Sequence, residues 1–417
     1  MPARVLLVVP TSTYRAEDFI ATARALNVAV TVASEELSSV AALNPADLIV
    51  IDFRDRARAR TQALAFHARH PITAVVGVDD RAAPVAGWIA DALGLPHHSV
   101  AAIEAARNKH KLRVRLAAHG VAQPAYSLLR GSDDANAAAR TTTFPCVVKP
   151  LERSASQGVL RANDAVEFVA AVACVRALLA RDDDKSGGAE VRTAADLLVE
   201  EFVPGVEVAV EGLVRDGVLE VLAIFDKPDP LDGPTFAETI YVTPSRLAAE
   251  LQARIRAATA RAVAARELAD GPVHAELRCD GERLWCIEIA PRSIGGLCSR
   301  VLRFGLGVSL EELIIRNALR LALPAHERES QAAGVMMLPV PRNGVLRAVH
   351  GVDRARAAPH IVDVRITAHT GQVVEALPEG ALYLGFIFAR APTSAAVEAA
   401  LRTATAMLEV VIEERTS

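Results

Sequence analysis

Four short, predominantly apolar runs, spaced through the first hundred positions, constrain the fold more than any other feature of the chain. They are residues 5–9, 29–32, 48–51 and 74–78. Between them lie alanine- and leucine-rich amphipathic segments, among them 16–25 and 56–69. A strand apolar on both faces has to be covered on both faces. Alternation with helices therefore predicts a parallel sheet with helices packed on either side. The expected unit is an N-terminal parallel α/β domain over residues 1–105.

The rest of the chain is long enough for further cores. It has 417 residues, 51% of them hydrophobic and 23% charged, the balance of an ordinary globular protein. Residues 106–325 read as a two-lobe unit, with lobes of about 106–199 and 200–325. Strands are expected at 144–149, 159–162, 197–202, 206–214 and 218–225. Asn163-Asp164 with Glu167 predicts a helix cap, and Ser309 with Glu312 another. Ser245 is expected to cap a long helix reaching Arg266, and 181–190 reads as an exposed loop. Residues 326–417 read as a small α+β domain. The whole is an α/β and α+β multidomain chain.

Charge narrows the partners. A net charge of −4 and a pI near 6.3 give no reason to expect nucleic acid or a membrane surface. The apolar run 5–9 is too short for a signal-peptide core, and no uninterrupted apolar run is long enough to span a bilayer. Five scattered cysteines without a C-x-x-C pair read as reduced thiols, so the expected location is cytoplasmic. A homodimer stays open.

The chemistry-bearing residues fall in one stretch order. Glu276 and Glu288 flank a turn at Asp280-Gly281-Glu282. A three-residue loop puts His274 opposite Glu288 and Glu276 opposite Cys286, so the two glutamates share one face a diagonal step apart. Oxygen-only ligands beside Arg292 suit Mg²⁺ carrying phosphates, although exposed acids on a hairpin are common without any ion. Lys109 opens a helix, and Lys149 ends an apolar strand, where an unpaired ammonium group would be costly. Both suit phosphate, and both also suit a plain surface position. The small-residue loop 154–158, with Ser154, Ser156 and Gly158, lets backbone N–H groups approach a phosphate chain. The run Glu200-Glu201-Phe202-Val203-Pro204-Gly205-Val206-Glu207 ends a strand with free main-chain groups and an acid.

Taken in order, these motifs resemble the ATP-grasp superfamily over about 105–325. The resemblance implies a nucleotide between two lobes, with ATP and Mg²⁺ as cofactors, two ions being expected and Mn²⁺ able to substitute. It implies that Lys109 and Lys149 meet phosphates, covered by 154–158. Glu201 and Val203 would meet adenine through their backbone, with Glu200 beside them, and Glu207 would bind ribose. Glu276 and Glu288 would hold the metal. One departure stands out: the family often has Glu-x-Asn here, and this chain has Glu288-Ile289-Ala290, which weakens the expected second metal site. Glu288 through Arg292, followed by Gly295-Gly296, is similar to the L-amino acid ligases, as are Asp226–Glu238 and the motifs of the third unit. That implies an ATP-dependent carboxylate–amine ligase acting on small molecules through an acyl-phosphate. Arg292 is then the candidate catalytic group, with His274 and Lys227 as further candidates and Gly295, Gly296 and Glu238 toward the substrate. For His274, Lys227 and Glu238 a purely structural role stands beside these. The alternatives are a biotin-carboxylase-like or nucleotide-biosynthesis ATP-grasp enzyme, or an ATP-binding protein without catalysis.

Overall fold

The computed structural model describes residues 3–11, 13, 15–36, 47–186 and 195–415. The four apolar runs form β1 (Arg4–Val8), β2 (Ala29–Ser34), β3 (Leu48–Val50) and β4 (Ala74–Gly77), all parallel, in the order β3-β2-β1-β4. Helices α1 (Ala16–Ala25), α2 (Arg56–His67) and α3 (Ala82–Leu93) accompany them. Val5 and Leu7 of β1 pack into one core while Leu6 and Val8 pack into another, so both faces are buried, as the continuous hydrophobicity requires.

Helices α4 (Val100–Arg107) and α5 (Lys109–Ala118) lead into the next unit. Its first lobe is an antiparallel sheet in the order β5-β8-β6-β7, from Tyr126–Leu129, Leu197–Glu201, Cys146–Pro150 and Leu160–Ala162. Helices α6 (Ala135–Ala139) and α7 (Ala165–Ser186) cover it. Asp164 Oδ1 accepts from Val166 N and Glu167 N, and Glu167 accepts in return from Asn163 N, which closes the expected cap of α7. The loop expected from Arg181 starts later, because α7 continues to Ser186; residues 187–194 lie outside the described residues.

The second lobe brings β9 (Val206–Arg215), β10 (Val218–Lys227), β11 (Ile240–Thr243), α8 (Ala249–Ala265), β12 (Gly271–Cys279), β13 (Leu284–Ala290) and α9 (Leu310–Ala318). Ser245 does not cap α8: its hydroxyl bonds Asp226 at 2.5 Å, and the helix begins four residues later at Ala249. Ser309 does cap α9, accepting from Glu312 N at 3.1 Å.

The remaining elements are β14 (Ala332–Pro339), β15 (Gly344–His350), α10 (Val352–Arg356), β16 (Ile361–Ile366), β17 (Val373–Val374), β18 (Tyr383–Ala391), α11 (Ser394–Thr405) and β19 (Glu409–Glu413). Three of these strands do not stand apart from the second lobe. One eight-stranded sheet runs β13-β12-β9-β10-β11-β14-β18-β16, joined where Ile240–Thr243 pairs with Ala333–Met336. The sheet therefore crosses the border read at 325. Its opposite faces are dressed differently. Val273, Ala275 and Leu277 of β12 pack with Ile255 and Ala262 of α8, so His274, Glu276 and Arg278 stand on the other face. Among the described residues, no helix is long and apolar enough to cross a membrane.

Candidate active site

The first-lobe wall is built around a buried ion cluster. Glu200 on β8 is 2% exposed and accepts from Arg113 Nε at 2.5 Å and from Lys149 Nζ at 2.6 Å. Arg113 on α5 also donates to the carbonyls of Cys286 and Ile287, at 2.8 and 2.7 Å. Burial alone would push the Glu200 carboxyl up; Arg113 and Lys149 together outweigh it and hold it at about 2. Glu200 thus holds Lys149 in place on the wall of the cleft. Removing one partner from a buried charge cluster of this kind costs about 3–5 kcal/mol, because the remaining charge is stranded. Lys109 is the first residue of α5, whose N-terminus is capped by Asn108, and its ammonium donates to the Arg153 carbonyl at the start of the small-residue loop.

The second-lobe wall differs from its expected register. The hairpin loop is four residues, 280–283, since Cys279 pairs with Leu284. A bulge between Glu276 and Leu277 then places Glu276 directly opposite Glu288, with His274 opposite Ala290 and Leu277 opposite Cys286. The bulge turns Glu288 onto the face of Glu276 while Cys286 and Ile289 stay in the core. Direct cross-strand partners lie closer than the diagonal neighbours the sequence suggested.

Neighbouring strands complete this face. On β9, Glu211 pairs with His274 and Glu207 with Arg278, while Lys227 on β10 pairs with Glu207. Lys227 is 7% exposed and is ringed by carboxylates: Glu207 at 2.7 Å, Glu276 Oε1 at 2.9 Å, and Glu238. It lines neither cavity described below, so a meeting with a substrate carboxylate is replaced by a bracing role under the acids. Oxygens of Glu207, Glu238 and Glu276 all lie within 4.8 Å of one another. Burial pushes Glu238 upward against the pull of Lys227, whereas in Glu276 the opposed burial is overcome by Lys227 and His274, and its carboxyl sits well below the usual range.

His274 is buried, with Nδ1 2.5 Å from Glu211 Oε1 and Nε2 3.5 Å from Glu276 Oε1. Burial lowers its pKa, but Glu211 prevails and lifts it to about 9 from 6.5. A folded-state pKa above the unfolded one stabilises fully below about 6.5, and the contribution disappears as pH rises through 9. The urea midpoint is therefore expected to fall between pH 7 and 10, and His274→Gln is expected to flatten that fall.

Two cavities meet at these glutamates. A cleft of about 690 Å³ is lined by Lys109, Lys149, Ser154, Ser156, Glu200, Glu201, Val203, Glu207, Glu276 and Glu288, among others. The paired acids and the two lysines thus share one cleft. Gly158 is not on its lining; it is buried, and a Cβ there would press on Leu178 and Pro150 at 3.1 and 3.2 Å. The loop instead presents Ser154, Ala155 and Ser156, the last two with φ of 53° and 56°. The Glu201 N–H is already donated to Ala125 O at 2.8 Å, so its main chain offers the cleft an acceptor rather than a donor.

The second cavity, about 1290 Å³, shares Ser154, Ser156, Glu238, Glu276 and Glu288 with the first and adds His274, Arg292, Gly295, Gly296, Tyr241 and Tyr383. Arg292 Nε donates to Asp80 Oδ1 at 2.9 Å and Nη1 to Ser293 O at 3.2 Å, which fixes the guanidinium plane. Burial opposes its charge, and Asp80 more than compensates, raising its pKa. Arg15 supports the same segment from the N-terminal unit, bonding Ser293 Oγ at 2.7 Å and Val78 O at 2.6 Å. Glu211 also accepts from Ile294 N at 3.0 Å, just before the two glycines.

Four positions of this site were not read from the sequence: Asp80, Arg15, Arg113 and Glu211. Asp79-Asp80 follows the fourth apolar run directly, at the carboxyl end of a parallel strand, where ligands of such sheets gather. Arg113 sits in a basic helix that reads as solvated, and Glu211 is an isolated acid in an apolar strand.

Two lobes facing a cleft of lysines and paired acids give the chain an architecture that resembles the ATP-grasp superfamily. The ATP-grasp domain matches residues 142–301 and the ATP-grasp N-terminal domain matches 20–97. It also resembles the L-amino acid ligases, whose C-terminal domain 2 matches residues 336–413. The crystal structure of L-amino acid ligase from Bacillus licheniformis superposes with a TM-score of 0.85 at 25% identity, covering 99% of both chains. An uncharacterized protein, y4rH, of Sinorhizobium fredii is 27% identical over 76% of this chain. Human carnosine synthase 1 is 30% identical over 59% of this chain. The matches span 64% and 31% of those two proteins' own lengths.

Proposed function

We propose that this protein is an ATP-dependent carboxylate–amine ligase that joins two small molecules, of the amino-acid class, and releases ADP and phosphate. The observation that carries the reading is the junction of the two cavities at Glu276 and Glu288, with Arg292 on the far side of it. One cavity has the lysines and backbone suited to a triphosphate; the other has the room and the charged groups for an acid and an amine.

In this reading the substrate carboxylate attacks the γ-phosphorus, the bond to ADP breaks, and an acyl-phosphate forms. The amine then attacks the acyl carbon, phosphate leaves, and an amide remains. Lys149, positioned by Glu200, and Lys109 face the phosphates, and Ser154 to Ser156 fold over them. Val203 and the Glu201 carbonyl address adenine, and Glu207 stands toward the ribose. Glu276 and Glu288 hold Mg²⁺, for which their opposed, oxygen-only carboxylates are suited. The metal supplies positive charge against the triphosphate, and Mn²⁺ serves in its place. Lys227 and His274 both engage Oε1 of Glu276, which orients that carboxylate. Ala290 removes a ligand the family often has, and Glu238 stands close enough to Glu276 to contribute an oxygen there. Arg292, its plane set by Asp80, stabilises charge on the acyl-phosphate and on the tetrahedral oxyanion. Ser154 to Ser156, which line both cavities, are placed to close over the activated acid and keep water from it.

The test is release of ADP from MgATP in the presence of every amino acid, singly and in pairs. Specific pairs are expected to stimulate release with one amide formed per ADP. ADP release that needs bicarbonate and no amine would replace this reading with a carboxylase.

A further inference from the structure

The small-residue loop and the C-terminal unit meet through a short segment that also reaches the larger cavity. That segment, 375–382, joins β17 to β18. Near its middle, Pro378 O accepts from Gly158 N at 2.9 Å, and Glu379 O accepts from the Gln157 side-chain amide at 2.6 Å. Its last residues, Ala381 and Leu382, line the larger cavity together with Tyr383 of β18. Ser154, Ala155 and Ser156, just before the bonded pair, line both cavities. One stretch of backbone thus grips the loop at the cleft and walls the space beside it.

The segment is itself fixed. Ala376 N donates to Asn343 Oδ1 at 2.7 Å, and Gly380 N donates to Ala376 O at 2.8 Å, which closes a tight turn. A Cβ on Gly380 would lie 1.8 Å from Glu375 O, so the turn has no room for a side chain there. Leu382 lines the cavity while 56% exposed. The other residues this unit places on the lining, Met337, Ala381 and Tyr383, are uncharged. An apolar group laid on this wall is withdrawn from water at a gain, whereas a charged one would be desolvated without a counter-charge from it.

We propose that Leu382 is a specificity-determining residue for one substrate, which carries an apolar side chain, and that Gln157 is a positioning residue through which occupancy of this wall tightens the cover over the phosphates. The inference rests on the ligase reading and names a side chain that reading leaves open. A substrate packed on Leu382 restrains the segment. Its two carbonyls restrain Gln157 and Gly158, and these hold Ser154 to Ser156 toward the nucleotide. Such coupling is reciprocal, so nucleotide and substrate raise each other's affinity by one common factor.

The test titrates the full chain with MgADP and with L-leucine, each alone and each in the presence of the other, by calorimetry. L-asparagine, of like shape and polar, replaces L-leucine in a parallel series. L-leucine is expected to raise MgADP affinity about tenfold, and MgADP to raise L-leucine affinity equally. L-asparagine is expected to bind about tenfold more weakly, and Leu382→Ala to weaken L-leucine by about the same factor. Gln157→Leu removes one hydrogen bond and is expected to cut the coupling about fivefold while MgADP alone still binds. Gly380→Ala forces the turn to shift, is expected to cut the coupling likewise, and serves where Gln157→Leu fails to fold. The proposal is overturned if L-leucine does not bind, if L-asparagine binds equally well, or if the coupling survives in a folded variant. Amide synthesis is read separately. Its absence beside intact coupling would fail the ligase reading alone, and its presence without coupling would fail this inference alone.

Discussion

Glu288→Gln is expected to lower turnover by about 10³-fold, equivalent to several kcal/mol of lost charge stabilisation, while the chain stays folded. The substitution keeps shape and removes a negative charge at one half of a directly opposed pair. Glu288 packs into no core, so the hairpin keeps Val273, Ala275, Leu277, Cys286 and Ile289 against α8. The loss is expected in kcat with MgATP as substrate, measured by ADP release. Near-normal turnover by Glu288→Gln would refute the assignment of this acid to the metal.

Arg292→Ala is expected to separate binding from chemistry. The guanidinium lines the larger cavity and is absent from the cleft with the two lysines. ATP affinity should therefore stay within about twofold, while kcat falls by about 10²–10³, the usual consequence of deleting a group that meets developing negative charge. Arg292→Lys is expected to recover little, because an ammonium lacks the fork that Asp80 and Ser293 O now hold in plane. Titration of nucleotide alongside single-turnover kinetics distinguishes this from a general loss of structure. Equal losses in affinity and rate would move Arg292 to the nucleotide side.

The parts of the fold written in local pattern were legible in the sequence. Apolar strands such as Val5 to Val8 announce a doubly covered parallel sheet, and the α7 and α9 caps declare themselves in short motifs. What depended on register was not. A four-residue loop and one bulge changed the partners of Glu276 and His274, because neither a bulge nor a one-residue difference in loop length alters local composition. Likewise, Lys227 reads as a loop lysine, yet it ends a strand and lies beneath three acids that arrive from β9, β12 and the segment before β11. Arg113 escaped notice for the same reason: its carboxylate partner is 87 residues away, and its carbonyl partners are 173 and 174 residues away. Long-range pairing, rather than residue type, decides which charges are buried and which are solvated. The sheet shared between β11 and β14 shows the same limit at a larger scale, since the hydrogen-bonded ladder continues past the border read at 325.

Binding of Mn²⁺ in the presence of ADP, followed by electron paramagnetic resonance, tests the metal–nucleotide clamp at the opposed glutamates most directly. The wild-type chain should retain the ion only when ADP is present, and Glu276→Gln and Glu288→Gln should each release it while ADP alone still binds. Unchanged Mn²⁺ retention in both variants would contradict the account.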